Sequence, residues 1–233
     1  MKRPVLLVSD GLFHPSVPAR FWLRRALLAL PGYPFEHVSS LEDLPGLVPA
    51  SFGAPDSFRA PDSFRALVLY VHHETISPAA LDVLEGFLQA GGGLLALHSA
   101  SASFKNEPHF YELLGGRFVE HGPIEEFLVQ PAATPDDVFG DLPAFSVRDE
   151  LYRHEYDAAN CVHFYTVVGD EREPVVWTRR QGRGRVCYCA LGHTASIMRQ
   201  PQVQEIVQRG LVWAAAAGVP AGEGEDPGAE SAP

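Results

Sequence analysis

Histidines stand just past four apolar runs of this chain. Imidazole in such places either takes and gives protons near neutral pH or binds a divalent metal. His14 follows Val5 to Val8, His72 and His73 close Leu67 to Val71, His98 closes Leu94 to Leu97, and His193 follows Val186 to Leu191. If these runs are strands of an open parallel sheet, ligands bind in the crevice beyond their carboxyl ends, where sequence-distant side chains converge. The expected catalytic residues are His98, His193 and Glu150, with His14, His72, Ser99, Tyr152 and His121 as substrate contacts. The same His98, His193 and Glu150 are the expected ligands of a divalent metal, zinc or manganese, acting as a Lewis acid on hydroxyl or carbonyl oxygens. Of the pair His72 and His73, one is expected to face the crevice and the other to be a solvated loop residue. Asp10 and Gly11 read as turn residues, and His154 and Glu155 as an exposed turn.

The elements that must position these residues are legible as strands alternating with helices, the pattern of a parallel sheet covered on both faces. Ser16 caps a helix whose apolar face is expected to be Phe21, Trp22, Leu27 and Leu28, stopped at Pro31 and Gly32. A short strand is expected at Phe35 to Val38. Ser77 and Pro78 start a second helix with Leu81, Leu84 and Leu88 buried, ended by Gly91 to Gly93. That triple glycine lacks the Walker lysine and the G-x-G-x-x-G spacing of a phosphate cradle. Beyond a short helix at Pro108 to Leu114, β-strands are expected at Phe118, Phe127 to Val129, Val162 to Val168 and Val175 to Trp177, an antiparallel extension of the sheet. Val203, Ile206, Val207, Gly210, Leu211 and Ala214 mark a last amphipathic helix. A tandem duplication, Ala54 to Arg59 repeated as Ala60 to Arg65, lies in a Pro-rich segment from Leu44 to Ala66 that reads as a surface loop.

Composition narrows the function classes. At 233 residues and 46% hydrophobic, the chain can bury a full core. It is expected to form one domain over residues 1–217, followed by a disordered acidic tail over 218–233. A net charge of −11 argues against a nucleic-acid groove. Three cysteines without zinc-ribbon spacing fit a reducing compartment. With neither a signal-peptide stretch nor an apolar run long enough for a membrane span, a cytoplasmic protein is expected. An edge strand or the last helix could support a homodimer.

Several of these segments together resemble a known family. They are Gly91-Gly-Gly-Leu-Leu-Ala-Leu-His98-Ser-Ala, Leu114-Gly-Gly-Arg-Phe118, Asp149-Glu-Leu-Tyr152, the Gly182-Arg-Gly-Arg185 turn before an aromatic strand, Leu191-Gly-His193, and Phe13-His14-Pro-Ser16. In order and spacing the chain is similar, from about Val5 to Ala217, to the ThuA-like family, named for a trehalose-utilisation protein. The resemblance implies a flavodoxin-like, mostly parallel sheet related to class I glutamine amidotransferases, and a link to sugar metabolism. Those amidotransferases carry a cysteine nucleophile in the turn where this chain has His98, so thiol-based amide hydrolysis is not expected. Cys187 and Cys189 alternate within one strand, on one face, where packing is the expected role. The chain also has Thr134-Pro135 where many relatives have His-Pro. The reading that results is hydrolysis or isomerisation of a sugar or modified sugar by histidine acid-base or metal-assisted chemistry. A non-catalytic sugar-binding or scaffold protein is the alternative.

Overall fold

The computed structural model describes residues 3–12, 14–47, 64–132 and 138–216. Its parallel strands are β1 (Val5–Ser9), β2 (Phe35–Val38), β3 (Ala66–Tyr70), β4 (Gly93–Leu97) and β9 (Gly184–Cys189). The runs VLLVS, ALVLY and GLLAL are buried at every position, as a strand covered on both faces must be. Four more strands, β5 (Gly116–Pro131), β6 (Phe145–Tyr156), β7 (Cys161–Val168) and β8 (Glu171–Gln181), complete one nine-stranded sheet of order β2-β1-β3-β4-β9-β8-β7-β5-β6. The pairings from β2 to β9 are parallel and those from β9 to β6 antiparallel. The sheet is therefore a mixed α/β sheet and not a mostly parallel one. The antiparallel strands are the longer ones, and the expected antiparallel extension did not include β6.

The helices start where serine hydroxyls cap them. Ser16 Oγ accepts from Ala19 N at 3.3 Å to open α1 (Val17–Leu28), and Ser77 Oγ accepts from Ala80 N at 3.2 Å to open α3 (Pro78–Gln89). In α3 the buried stripe contains the expected Leu81, Leu84 and Leu88. In α1 the buried face is Ala19, Leu23, Ala26 and Leu27; of the expected residues Leu27 is buried and Trp22 packs partly buried on the core, whereas Phe21 is 54% and Leu28 73% exposed, which corrects those two. Helix α6 (Pro201–Ala215) packs so tightly on β4 that a Cβ on Gly93 would lie 2.4 Å from the Ala214 carbonyl oxygen. Glycine is required there for close approach of two backbones.

Other boundaries differ from expectation. The segment from Leu44 to Ala66 is not all loop: it opens with α2 (Leu44–Leu47), which buries Leu44 after a 3-10 helix (Leu41–Asp43), and Phe64 near its end is buried. The rest of the duplication, Thr134-Pro135 and the tail at 218–233 lie outside the described residues. Two separate strands expected near Phe118 and Phe127 are one, β5, bulged between Phe118 and Glu120 and between His121 and Ile124. Its partner β6 was not expected at all. It alternates inward and outward as a strand should, but one inward position is Asp149, which interrupts the apolar signal. Among the described residues the β5–β6 pair joins the ladder of the rest of the sheet through Gln130 and Pro131, which pair with β7. It behaves as a ribbon, pairing His121 with Tyr152 and Ile124 with Glu150.

Candidate functional site

Four loops and the ribbon meet beyond the carboxyl ends of the parallel strands. His14 lies between β1 and α1, His72 shortly after β3, His98 directly after β4 at the start of a 3-10 helix (His98–Ala102), and His193 after β9. The His14 ring centroid is 5.0 Å from that of His72, 5.2 Å from His98 and 4.9 Å from His193. From β6, Glu150 Oε2 reaches within 3.1 Å of His193 Nδ1 and 3.6 Å of His98 Nε2. One ligand-type atom from each of His14, His98, Glu150 and His193 lies within 4.8 Å of the others. His98 has φ 44°, in the left-handed region that few non-glycine residues adopt. Backbone held there costs on the order of 1–3 kcal/mol and persists where surrounding contacts fix it.

Comparison with known proteins follows from this arrangement. The family model for ThuA, described as trehalose utilisation, matches residues 57–214. The chain belongs to the ThuA family. Among solved structures it is similar to a ThuA-like protein of Parabacteroides merdae, with TM-score 0.75, 19% identity, and 93% of this chain and 91% of that one covered. A protein of Salmonella typhimurium LT2, described as cytoplasmic, gives TM-score 0.63 at 13% identity, covering 91% and 99%. A β-galactosidase of Bacillus circulans sp. alkalophilus gives TM-score 0.61 at 12% identity, covering 92% of this chain but 30% of that one. At such identities these likenesses show the fold. No curated protein matches the chain.

The local chemistry of this ThuA site is unusual in what it leaves unpaired. His98 Nδ1 is 2.7 Å from the Ala190 carbonyl oxygen, which only accepts, so Nδ1 carries a proton and Nε2 is the nitrogen with a lone pair whenever the ring is neutral. That Nε2, His193 Nδ1 and Glu150 Oε2 are buried and face one another, at 3.6 Å and 3.1 Å from the carboxylate oxygen, without a hydrogen bond of good geometry among the described residues. Buried polar atoms usually form good hydrogen bonds, and three converging in one place mark a position that a bound cation would complete. Burial, then the neighbouring His98, His193 and His72, lowers the His14 pKa to about 4. Burial also lowers His193 and His72. Burial opposes charge on Glu150 as well, but the rings of His98, His193 and His121 beside it hold its carboxyl below the usual range. Three imidazoles and an ionised carboxylate are the donor set a divalent cation needs, and a ligand histidine donating its other N–H to a carbonyl is the usual supporting contact.

The remaining expected residues divide. Tyr152 stacks on His98 with centroids 4.1 Å apart, and its hydroxyl is 3.3 Å from His14 Nε2. His121 Nδ1 is 3.9 Å from Glu150 Oε1, on the exposed side of the cluster. His72 borders it, while His73 turns to Phe104, 6.2 Å between centroids. Ser99 does not reach the site: it is buried, and its hydroxyl donates to Val71 O at 2.8 Å. His154 is not in an exposed turn but buried within β6. His14, expected as a substrate contact, stands among the potential ligands. Sequence reasoning missed Asp149, whose Oδ2 accepts from Gly192 N at 2.8 Å and His193 N at 3.4 Å and so anchors the loop that carries His193. The loop depends on Gly192 at φ 141°, beside the His98 Cβ. The signals available were its place beside Glu150 and in the Asp149-Glu-Leu-Tyr152 segment, neither of which gave it a role.

Proposed function

We propose that the chain acts on a carbohydrate at a divalent metal site formed by His14, His98, Glu150 and His193, in a hydrolysis or isomerisation. The observation that carries this reading is the convergence of one potential ligand atom from each of His14, His98, Glu150 and His193 within 4.8 Å, with His98 Nε2, His193 Nδ1 and Glu150 Oε2 buried and not joined by well-formed hydrogen bonds. Three imidazoles and a carboxylate suit zinc or manganese, which when bound polarises a sugar hydroxyl or carbonyl oxygen. The family description supports a sugar as the substrate class. Burial first, then Glu150 and Asp149, raises the Tyr152 pKa, so its hydroxyl keeps its proton and offers a donor to a sugar oxygen. His72 and His121, at the rim of the cluster, are placed for further sugar hydroxyls.

The wider expectations belong to the same proposal. We read residues 1–217 as one domain, the five parallel strands as its flavodoxin-like part with the class I amidotransferase relation, and the cytoplasm as its compartment. No described helix is long and apolar enough to cross a membrane. Cysteine-dependent amide hydrolysis has no support, since Cys187 and Cys189 are buried and burial pushes the Cys189 thiol up to about 12.

The test is a panel of disaccharides and keto-sugars incubated with zinc- or manganese-treated protein and followed by NMR. Product from the wild type and none from folded His98→Ala is the expected result. Saturable sugar binding with no product would establish the non-catalytic alternative instead.

A further inference from the structure

Glu173 is buried in β8, and the cluster at His14, His98, Glu150 and His193 makes no use of it. Its Oε2 lies 3.2 Å from Arg153 Nε, while Oε1 accepts the His154 backbone N–H at 3.0 Å and lies 3.3 Å from His154 Nδ1. A carboxylate paired with arginine only accepts, so it places the imidazole proton on Nδ1 and leaves His154 Nε2 as an acceptor. That nitrogen is 3.1 Å from the Tyr188 hydroxyl and 3.4 Å from the Ser101 hydroxyl, which are 2.7 Å apart. Both hydroxyls also reach the His98 carbonyl oxygen, Tyr188 at 2.9 Å and Ser101 at 3.2 Å. The two hydroxyls share two protons among three contacts: the one between them, His154 Nε2 and His98 O. The path from Glu173 to His98 is buried throughout. Buried polar chains rigidify what they end on when every member is satisfied. This one ends on the carbonyl of a residue at φ 44°.

We propose that Glu173, His154, Tyr188 and Ser101 are positioning residues for His98: they hold its carbonyl, and with it the left-handed turn that directs Nε2 toward Glu150, 3.6 Å away. The value of that direction rests on His98 being a metal ligand, but the positioning itself exists without metal. Packing does not require the Tyr188 hydroxyl, because phenylalanine would fill the same place against Trp177, 4.2 Å between centroids.

The test uses the full chain labelled with 15N on histidine. The His98 Nδ1–H signal, assigned by its loss in His98→Ala, is expected to exchange slowly because the proton is buried against Ala190 O. Tyr188→Phe is expected to shift that signal and speed its exchange about ten-fold, the scale of one hydrogen bond. Cobalt titrated into the same variant is expected to bind about 10–100-fold more weakly, with an altered visible spectrum. Ser101→Ala, read in the same way, replaces Tyr188→Phe if the latter does not fold. An unmoved His98 signal and exchange rate in a folded variant overturns the proposal, whatever cobalt does. If the signal moves but wild-type protein takes up no cobalt, the positioning chain stands and the metal reading falls.

Discussion

At the scale of single residues, the chemistry turns on imidazoles that stay neutral. Unfolded, His14 titrates near 6.5, and in the fold near 4, with His193 and His72 also lowered. Between those values the unfolded chain binds more protons than the native one, so stability rises with pH there and falls as pH drops from about 6.5 toward about 4. The lowered Glu150 works in a different window, below its ordinary 4.5. We therefore expect the thermal midpoint of chelator-treated protein to fall between pH 7 and pH 5, and to fall less in His14→Asn; calorimetry at fixed ionic strength checks both. Asp149→Asn is expected to weaken metal binding about 10–100-fold in a competition titration, because Asp149 orients the loop of a ligand without being one. His98 and His193 were legible as candidates because strand ends can be read from apolar runs. Asp149 and the Glu173–His154 chain were not, since a buried polar residue looks like a surface one until its partners are known.

At the scale of elements, the parallel strands and α3 were readable because their periodicity and caps agree. The ribbon was not. Its β5 is exposed along most of its length, so no alternation marks it, and β6 carries Asp149 inward. Yet β6 brings Glu150 and Tyr152 across to loops that β1, β4 and β9 present, a convergence set by long-range pairing that no local pattern encodes. The α1 face was read in part: Leu27 is buried as expected, but Phe21 and Leu28 are apolar and point outward, while Leu23 and the small Ala19 and Ala26 complete the contact. The sharpest prediction at this scale concerns the β4–α6 contact. Gly93→Ala places a Cβ 2.4 Å from the Ala214 carbonyl oxygen, where backbone meets backbone, and is expected to destabilise by about 1–3 kcal/mol in denaturant unfolding.

At the scale of the whole molecule, one sheet serves two tasks: its parallel half presents loops at one end, and its antiparallel half extends over them through the ribbon. The fold class was legible in outline, but the share of antiparallel pairing was not, because polar-faced strands give weaker signals than buried ones. Thiol accessibility checks the packing globally. Cys161 is exposed and Cys187 and Cys189 are buried, so an aromatic disulfide reagent is expected to titrate one thiol in native protein and three after denaturation. The central claim, a metal held by His14, His98, Glu150 and His193, is tested most directly by elemental mass spectrometry of tag-free protein purified without chelator, repeated on His98→Ala and His193→Ala. The account predicts close to one zinc or manganese per wild-type chain and loss in both folded variants. A wild type that stays metal-free after incubation with either ion, or variants that keep the metal, would contradict it.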